Sequence, residues 1–414
     1  MVRLPIHSLR FTLLLAALVT LAAFATDMGL PVLAATAASL GVPAGTAALT
    51  LSVFLAGFAL GPLVLGPLSD HHGRRPMLLV GCAMFAFFGG LAAFSTSLGA
   101  LLMWRFLMGM GAGGCQVLVL AMVRDLFVGT EARVKQAYVN LAAGVAPIIA
   151  PTLGVAIAAA GGWRAIYGAL AAGGIVLFSI VALRLGESAP RRAGATLTLR
   201  ATLSSYARVL RHPVSLGYAL VVALNFGCLF AYVSGSSLVL IGLLGVSRRV
   251  YGGLFACSSL GLMIGAFGSA RLSRRGVPPA RLITIGETAI VGTALLLATL
   301  TVAGGLRVSL LVPLVVIGFV GHGLVRPNAA QGALEPMPDI AGVASAVLSG
   351  LQMVTGALAS ATVAVLFDGR SAIAMTGTMA VCAVSAATIY AGFVRRAERR
   401  AVRRGLVTSP FPVP

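Results

Sequence analysis

The chain is poor in charge, and acidic residues are the scarcest part of it. Ten Asp and Glu stand against thirty Lys and Arg in 414 residues, and charged residues of both signs make up only 10%. With 59% hydrophobic residues, a soluble protein of this length could not hide its apolar surface, which excludes an ordinary soluble domain. Lysine is almost absent: Lys135 is the single one, a preference for arginine that carries no functional meaning. Cysteine is also sparse. Cys82, Cys115, Cys228, Cys257 and Cys382 all fall in apolar runs with no two close in sequence, which argues against disulfides and a metal site. No nucleotide-binding loop, metal cluster or nucleophile constellation is present, so neither an enzyme nor a cofactor is expected. No stretch is long and polar enough for a sizeable soluble domain, which argues against a receptor.

What the chain has instead is long apolar runs. They lie near 11–34, 46–68, 77–95, 99–123, 136–160, 164–185, 213–241, 251–270, 281–303, 308–333, 342–367 and 372–394. About 20 apolar residues at ~1.5 Å each cross a bilayer core of ~30 Å. Lipid-facing backbone must bond to itself, so such runs are helices. The expectation is an all-α membrane protein with twelve transmembrane helices. The first run is too long for a signal-peptide core and no small-residue cleavage site follows it, so it is read as a retained helix. The bases sit in the gaps between runs, which points to topology and not to nucleic acid. With the N-terminus inside, 23 of the 30 bases fall on the cytoplasmic side and only Arg164, Arg248, Arg249, Arg307 and Arg370 outside. Both termini are therefore expected in the cytoplasm.

One gap differs from the rest. Residues 186–212 are polar and basic and divide the runs six and six. The expected organisation is a six-helix bundle over 1–185, a cytoplasmic linker over 186–212, a second bundle over 213–394 and a basic tail over 395–414. An even division suggests an internal repeat. Within the linker, arginines and apolar residues interleave over 197–210, as in a short surface helix.

Ionisable residues inside apolar runs are costly, roughly 2.5–3.5 kcal/mol each on insertion scales, and their default reading is functional. Asp27 lies in the first run, ~10 Å from the outer end if that run stops near Ala34; Arg105 lies ~9 Å from the same face in the fourth. Equal depth allows them to interact directly or through water. Apolar burial favours the protonated acid and a nearby guanidinium favours the carboxylate, so a change in exposure can move a proton on or off Asp27. Glu287 and Arg326 form a second candidate pair at similar depth, read as a structural ion pair or a snorkelling arginine. His322 shares a helix face with Arg326 and is read as a hydrogen-bonding group in preference to a proton relay.

Other segments carry turns and weak points. Between the second and third runs stands Gly66-Pro-Leu-Ser-Asp70-His-His-Gly73-Arg74-Arg75. Its glycines permit a tight turn, and Asp70 and the arginines can form a charge cluster with Arg124-Asp125. Pro147, Pro151 and Gly154 weaken the fifth run. Asn225, Phe226, Phe230 and Tyr232, with Gln116, Asn140 and Gln352 elsewhere, are candidates either to line a substrate cavity or to join helices.

Together these segments are similar to a known family. The Gly66–Arg75 loop resembles the signature loop of the major facilitator superfamily, with His71 where a basic residue usually follows the Asp. Arg105, ahead of Gly109, Gly111, Gly113 and Gly114, resembles its fourth-helix motif. Ala150-Pro-Thr-Leu-Gly154 resembles its antiporter motif, with Ala150 in place of the first Gly. Ala25-Thr-Asp27-Met-Gly-Leu-Pro31, Trp163-Arg164 and Arg326-Pro-Asn-Ala329 extend the likeness to drug:proton antiporters of the Bcr/CflA type. The resemblance implies a major facilitator fold, a bacterial inner-membrane location, a monomer, and export of drugs such as chloramphenicol or bicyclomycin against an inward proton flow. It also implies a cytoplasmic latch built from the Asp70 loop. Export of a native metabolite or amino acid is the rival reading.

Overall fold

The computed structural model of the chain describes residues 5–188 and 199–397. Among these residues there are helices and no strands. The helices are α1 Leu9–Leu40, α2 Ala44–His72, α3 Arg74–Ala93, α4 Leu98–Leu126, α5 Gly129–Arg184, α6 Leu199–Arg211, α7 Pro213–Leu243, α8 Arg248–Arg274, α9 Pro279–Val302, α10 Val308–Leu334, α11 Pro338–Leu366 and α12 Ile373–Ala397. All but α6 are long and apolar enough to cross a membrane, eleven in number. The 56 residues of α5 would extend ~84 Å if straight. They do not run unbroken: Gly161 and Gly162 leave helical conformation, and Gly162 has φ 68°, a region that glycine enters at no steric cost.

The end of the first span differs from expectation for a physical reason. α1 does not end near Ala34 but continues to Leu40, where Gly41 at φ 66° caps it. Its regular α-helical part, however, stops at Asp27, and a 3-10 turn follows over Leu30–Val32. Pro31 accounts for the break. Its ring crowds the carbonyl four residues back, that of Asp27, and it has no N–H to bond it. The depth estimated for Asp27 therefore changes, since thirteen residues of α1 lie beyond it. The surface helix expected over 197–210 is α6. Of the expected linker, 189–198 lie outside the described residues, as does the expected basic tail from 398 onward.

The chain folds as two compact units, one of Met1–Ala195 with Ser236–Ala256, the other of Thr196–Gly235 with Cys257–Pro414. In the first unit α2 and α4 pack most intimately. Gly57 and Gly61 on α2 face Gly109 and Gly113 on α4, and a Cβ on any of the four would run into carbonyl oxygens of the other helix. Small residues spaced by four let membrane helices approach to backbone contact, where dispersion replaces the missing hydrophobic drive. Phe11, Leu15, Leu18, Leu78, Leu118 and Met122 fill the core beside them. Cys82 and Cys115 meet there at 3.7 Å between sulfurs, and both are free thiols.

In the second unit the same device joins α9 to α10. A Cβ on Gly286 would lie 2.7 Å from the Gly321 carbonyl, and the reverse distance is also 2.7 Å. α6 docks on α11 through Val209, packed with Met337, Ala344 and Val347, and through an ion pair between Arg208 and Asp339.

Candidate functional site

The break in α1 builds the site. Asp27 closes the regular helix and is 4% exposed, so it does not reach an interface. Directly after it, the carbonyl of Met28 lies against Gly154 of α5, where a Cβ would overlap it. The proline-containing segment of α5, with Pro151 buried and Pro147 half-buried, is thus seated on the backbone next to the acid. Sequence spacing placed Asp27 and Gly154 in separate arguments; folding sets Gly154 against the backbone of the residue that follows Asp27.

Arg105 is 3% exposed and does not snorkel to the surface. Its Nε donates to the Thr50 carbonyl of α2 at 3.3 Å, and Nη1 lies 4.0 Å from Met108 Sδ. The guanidinium stacks over Phe54 at 4.4 Å and faces Tyr167 at 5.6 Å. No ion pair joins Arg105 to Asp27 within 4.0 Å among the described residues. Between Arg105 and α1 is a cavity of about 10 Å³, lined by Thr26, Gly29, Leu30, Thr50 and Tyr167. That is close to the smallest space that holds one water. Thr50, Phe54 and Tyr167 escaped sequence reasoning because nothing in their local pattern marks them.

At the other end of α2, the candidate charge cluster is assembled. Arg74 bonds Asp70 at 2.6 Å and Asp125 at 2.9 Å, and also donates to Ser69 Oγ at 2.6 Å. Ser69 in turn donates to the Gly66 carbonyl at 2.6 Å. Gly73 makes the turn at φ 97°. The unforeseen member is Glu187, beyond the end of α5. Its carboxylate accepts from the backbone N–H of Arg74 at 2.8 Å and of Arg75 at 3.2 Å. It caps α3, where free N–H groups and the helix dipole favour an anion. Arg75 donates to the Ala182 carbonyl at 2.6 Å. Arg124 is exposed and takes no part in this cluster.

The second unit departs from expectation at Glu287. It makes no ion pair with Arg326, which is exposed on α10. Glu287 is 4% exposed, and its Oε1 accepts from Asn225 Nδ2 at 2.6 Å. Similar depth along two helices does not by itself bring two side chains together. Among the other cavity candidates, one side chain ties helices together. Tyr232 is buried, shares a hydrogen bond of 3.0 Å with Ser258 and packs edge-on to Phe319. Phe226 and Phe230 lie 4.5 Å apart against Gly356 of α11. Gln352 is buried, Gln116 half-buried and Asn140 exposed. His322 is buried edge-on to Phe319, ring centroids 5.8 Å apart.

Comparison with known proteins follows the same lines. The family model of the Major Facilitator Superfamily matches residues 15–360. An uncharacterized MFS-type transporter, YdgK of Bacillus subtilis (strain 168), is 31% identical over 94% of this chain and 96% of its own length. A bicyclomycin resistance protein homolog of Haemophilus influenzae (strain ATCC 51907 / DSM 11121 / KW20 / Rd) is 28% identical over 92% of this chain and 95% of its own. Among solved structures, a bacterial homolog to the human lysosomal transporter Spinster, inward-facing and occupied, superposes with a TM-score of 0.74 at 15% identity, covering 99% of this chain and 100% of that one. This last likeness is one of fold.

Proposed function

The chain belongs to the major facilitator superfamily, a multi-pass membrane transporter and not an enzyme, and we propose that it is a proton-coupled exporter of amphipathic small molecules. The resistance protein among its relatives supports the drug reading, with chloramphenicol- or bicyclomycin-like compounds as the substrate class. Counted on either side of Gly161 and Gly162, α5 is two spans, which makes twelve in all. Two six-helix bundles then alternate access from either side of a bacterial inner membrane, with both termini in the cytoplasm.

One observation carries the reading: a buried carboxyl, Asp27, at a proline-induced helix break that α5 packs against through Gly154. An unpaired carboxylate in apolar surroundings is costly, and its neutral acid is not. Asp27 therefore takes a proton when sealed and releases it when water reaches it. Arg105 of α4 borders the same small cavity as the break in α1 and supplies positive potential without an ion pair, so the acid stays free to exchange. Coupling requires that substrate and proton each favour a different state. Asp70, Gly73, Arg74, Arg75, Asp125 and Gly66 form the cytoplasmic latch. Export of a native metabolite remains the second reading, favoured by the 31% identity to a relative of no assigned substrate.

The deciding measurement is drug accumulation in inverted vesicles under an imposed pH gradient. Wild type accumulates drug with the gradient; Asp27→Asn retains binding and loses the gradient dependence. Intact gradient-driven transport by Asp27→Asn would remove Asp27 as the coupling site.

A further inference from the structure

The second unit holds a buried carboxyl that the Asp27 scheme does not use. Glu287 is on α9, 4% exposed, and among the described residues its one bonded partner is Asn225 of α7. Asn225 Nδ2 gives one hydrogen to Glu287 Oε1 at 2.6 Å and the other to the Val221 carbonyl at 3.0 Å. The Val221 carbonyl can only accept, which fixes the amide's orientation: the NH2 end must face it, and the same end faces Glu287 Oε1. Its donors are then spent. Two oxygens of this one pair are left buried without a partner, Glu287 Oε2 and Asn225 Oδ1.

Two orphaned acceptors on hydrogen-bonded groups lack a single hydrogen. A carboxylic acid supplies it. With a proton on Oε2, the acid can donate to the amide oxygen while its carbonyl oxygen accepts from the amide, the paired arrangement of an acid with a primary amide. The ionised form leaves both oxygens desolvated and unpaired, the costly case.

No cation competes for the role. Among the described residues no Arg, Lys or His lies within 4.0 Å of the carboxylate. Cys228 of α7 and Cys382 of α12 are free thiols. On α10, which meets α9 at Gly321 and Val325, His322 packs on Phe319 and Arg326 is exposed. On α12, Arg395 reaches Thr284, one turn before Glu287, at 2.7 Å and stops there. On α9 itself Arg281 is exposed. A metal ion would want several more oxygens than this pair offers.

We propose that Glu287 and Asn225 form a proton-binding site in the second unit, with the proton held on Oε2 and shared with Asn225 Oδ1. The site is separate from Asp27 and does not depend on its role in coupling.

Infrared difference spectroscopy on the purified, reconstituted protein tests this without any transport measurement. Wild type at neutral pH is expected to show the carbonyl stretch of a protonated carboxylic acid, shifted in heavy water. Glu287→Gln, which keeps an amide where the neutral acid stood, loses one such band. Asp27→Asn keeps it, and Asn225→Leu moves it to higher frequency by removing the acceptor. A spectrum in which Glu287→Gln removes no acid band overturns the proposal, and a Glu287 band unmoved by Asn225→Leu overturns the shared proton. Should Glu287→Gln fail to fold, labelling of wild type with a hydrophobic carbodiimide, which adds to protonated carboxyls, replaces it. An adduct on Glu287 whose yield falls about tenfold per pH unit as the acid titrates supports the site; labelling of Asp27 but not Glu287 at any pH contradicts it. A labelled Glu287 together with intact coupling by Asp27→Asn would leave this site standing and the Asp27 scheme fallen.

Discussion

Gly154 of α5 lies against the carbonyl of Met28, the residue that follows Asp27, with no room for a methyl group between them. The antiporter-type segment is thus packed against the backbone one residue beyond the buried acid. A shift of α5 past α1 has to be felt at the backbone that carries Asp27.

Gly154→Ala is expected to push the two helices apart. Overpacking of this kind costs about 1–3 kcal/mol, with a lower melting temperature in detergent and reduced efflux. Gly144→Ala, on the same helix with nothing within 4 Å of its Cβ, is the control and should leave both unchanged. Equal behaviour of the two variants would dismiss the contact as a determinant.

Arg105→Lys keeps the charge and loses the geometry. An ammonium cannot both lie flat on Phe54 and donate to the Thr50 carbonyl as the planar fork does. The loss is about 2 kcal/mol from the cation–π contact and the charged hydrogen bond together. Chemical denaturation reads the stability, and vesicle uptake the transport. A lysine variant as stable and active as wild type would show that positive charge alone suffices.

Glu187→Ala uncaps α3 at two backbone N–H groups and should cost about 1 kcal/mol. Arg124→Ala, at an exposed residue outside the cluster, should cost nearly nothing. The melting temperatures of the two variants rank them directly, and the reverse order would place the latch elsewhere.

His212, in the turn between α6 and α7, accepts a hydrogen bond at Nδ1 from the Ser215 N–H at 3.2 Å. Burial holds its imidazole below the ordinary 6.5. The neutral ring is the favoured form, so its stabilising contribution is present above pH 6.5 and is lost as pH falls through the depressed value. Melting temperature should drop on acidification in wild type more than in His212→Asn, whose side-chain oxygen accepts the same bond at every pH. Parallel acid limbs would exclude His212 as a source.

Much of the architecture was legible residue by residue. Run length and hydropathy locate spans because the bilayer acts on each helix separately. Asp27 and Arg105 stood out because a charge among apolar neighbours is costly wherever it falls. Gly73 and Asp70 were readable from the turn chemistry. The pairing of Glu287 with Arg326 misled because similar depth does not say which side chains meet, and Glu287 bonds Asn225 instead. Glu187 was passed over because a lone acid in a polar gap has no local signature; its role exists only where the start of α3 comes beside it.

Sequence alone therefore determined where the apolar runs lie and which acids a bilayer would not tolerate idle. These are local, set by a helix and its solvent. Tertiary structure decided that Gly154 meets Met28, that Asn225 reaches Glu287 across 62 residues, and that Arg105 rests on Phe54 instead of Asp27. Such partnerships depend on how small-residue faces interlock between helices, and that interlocking sets rotation and register, which no single helix carries in its own sequence.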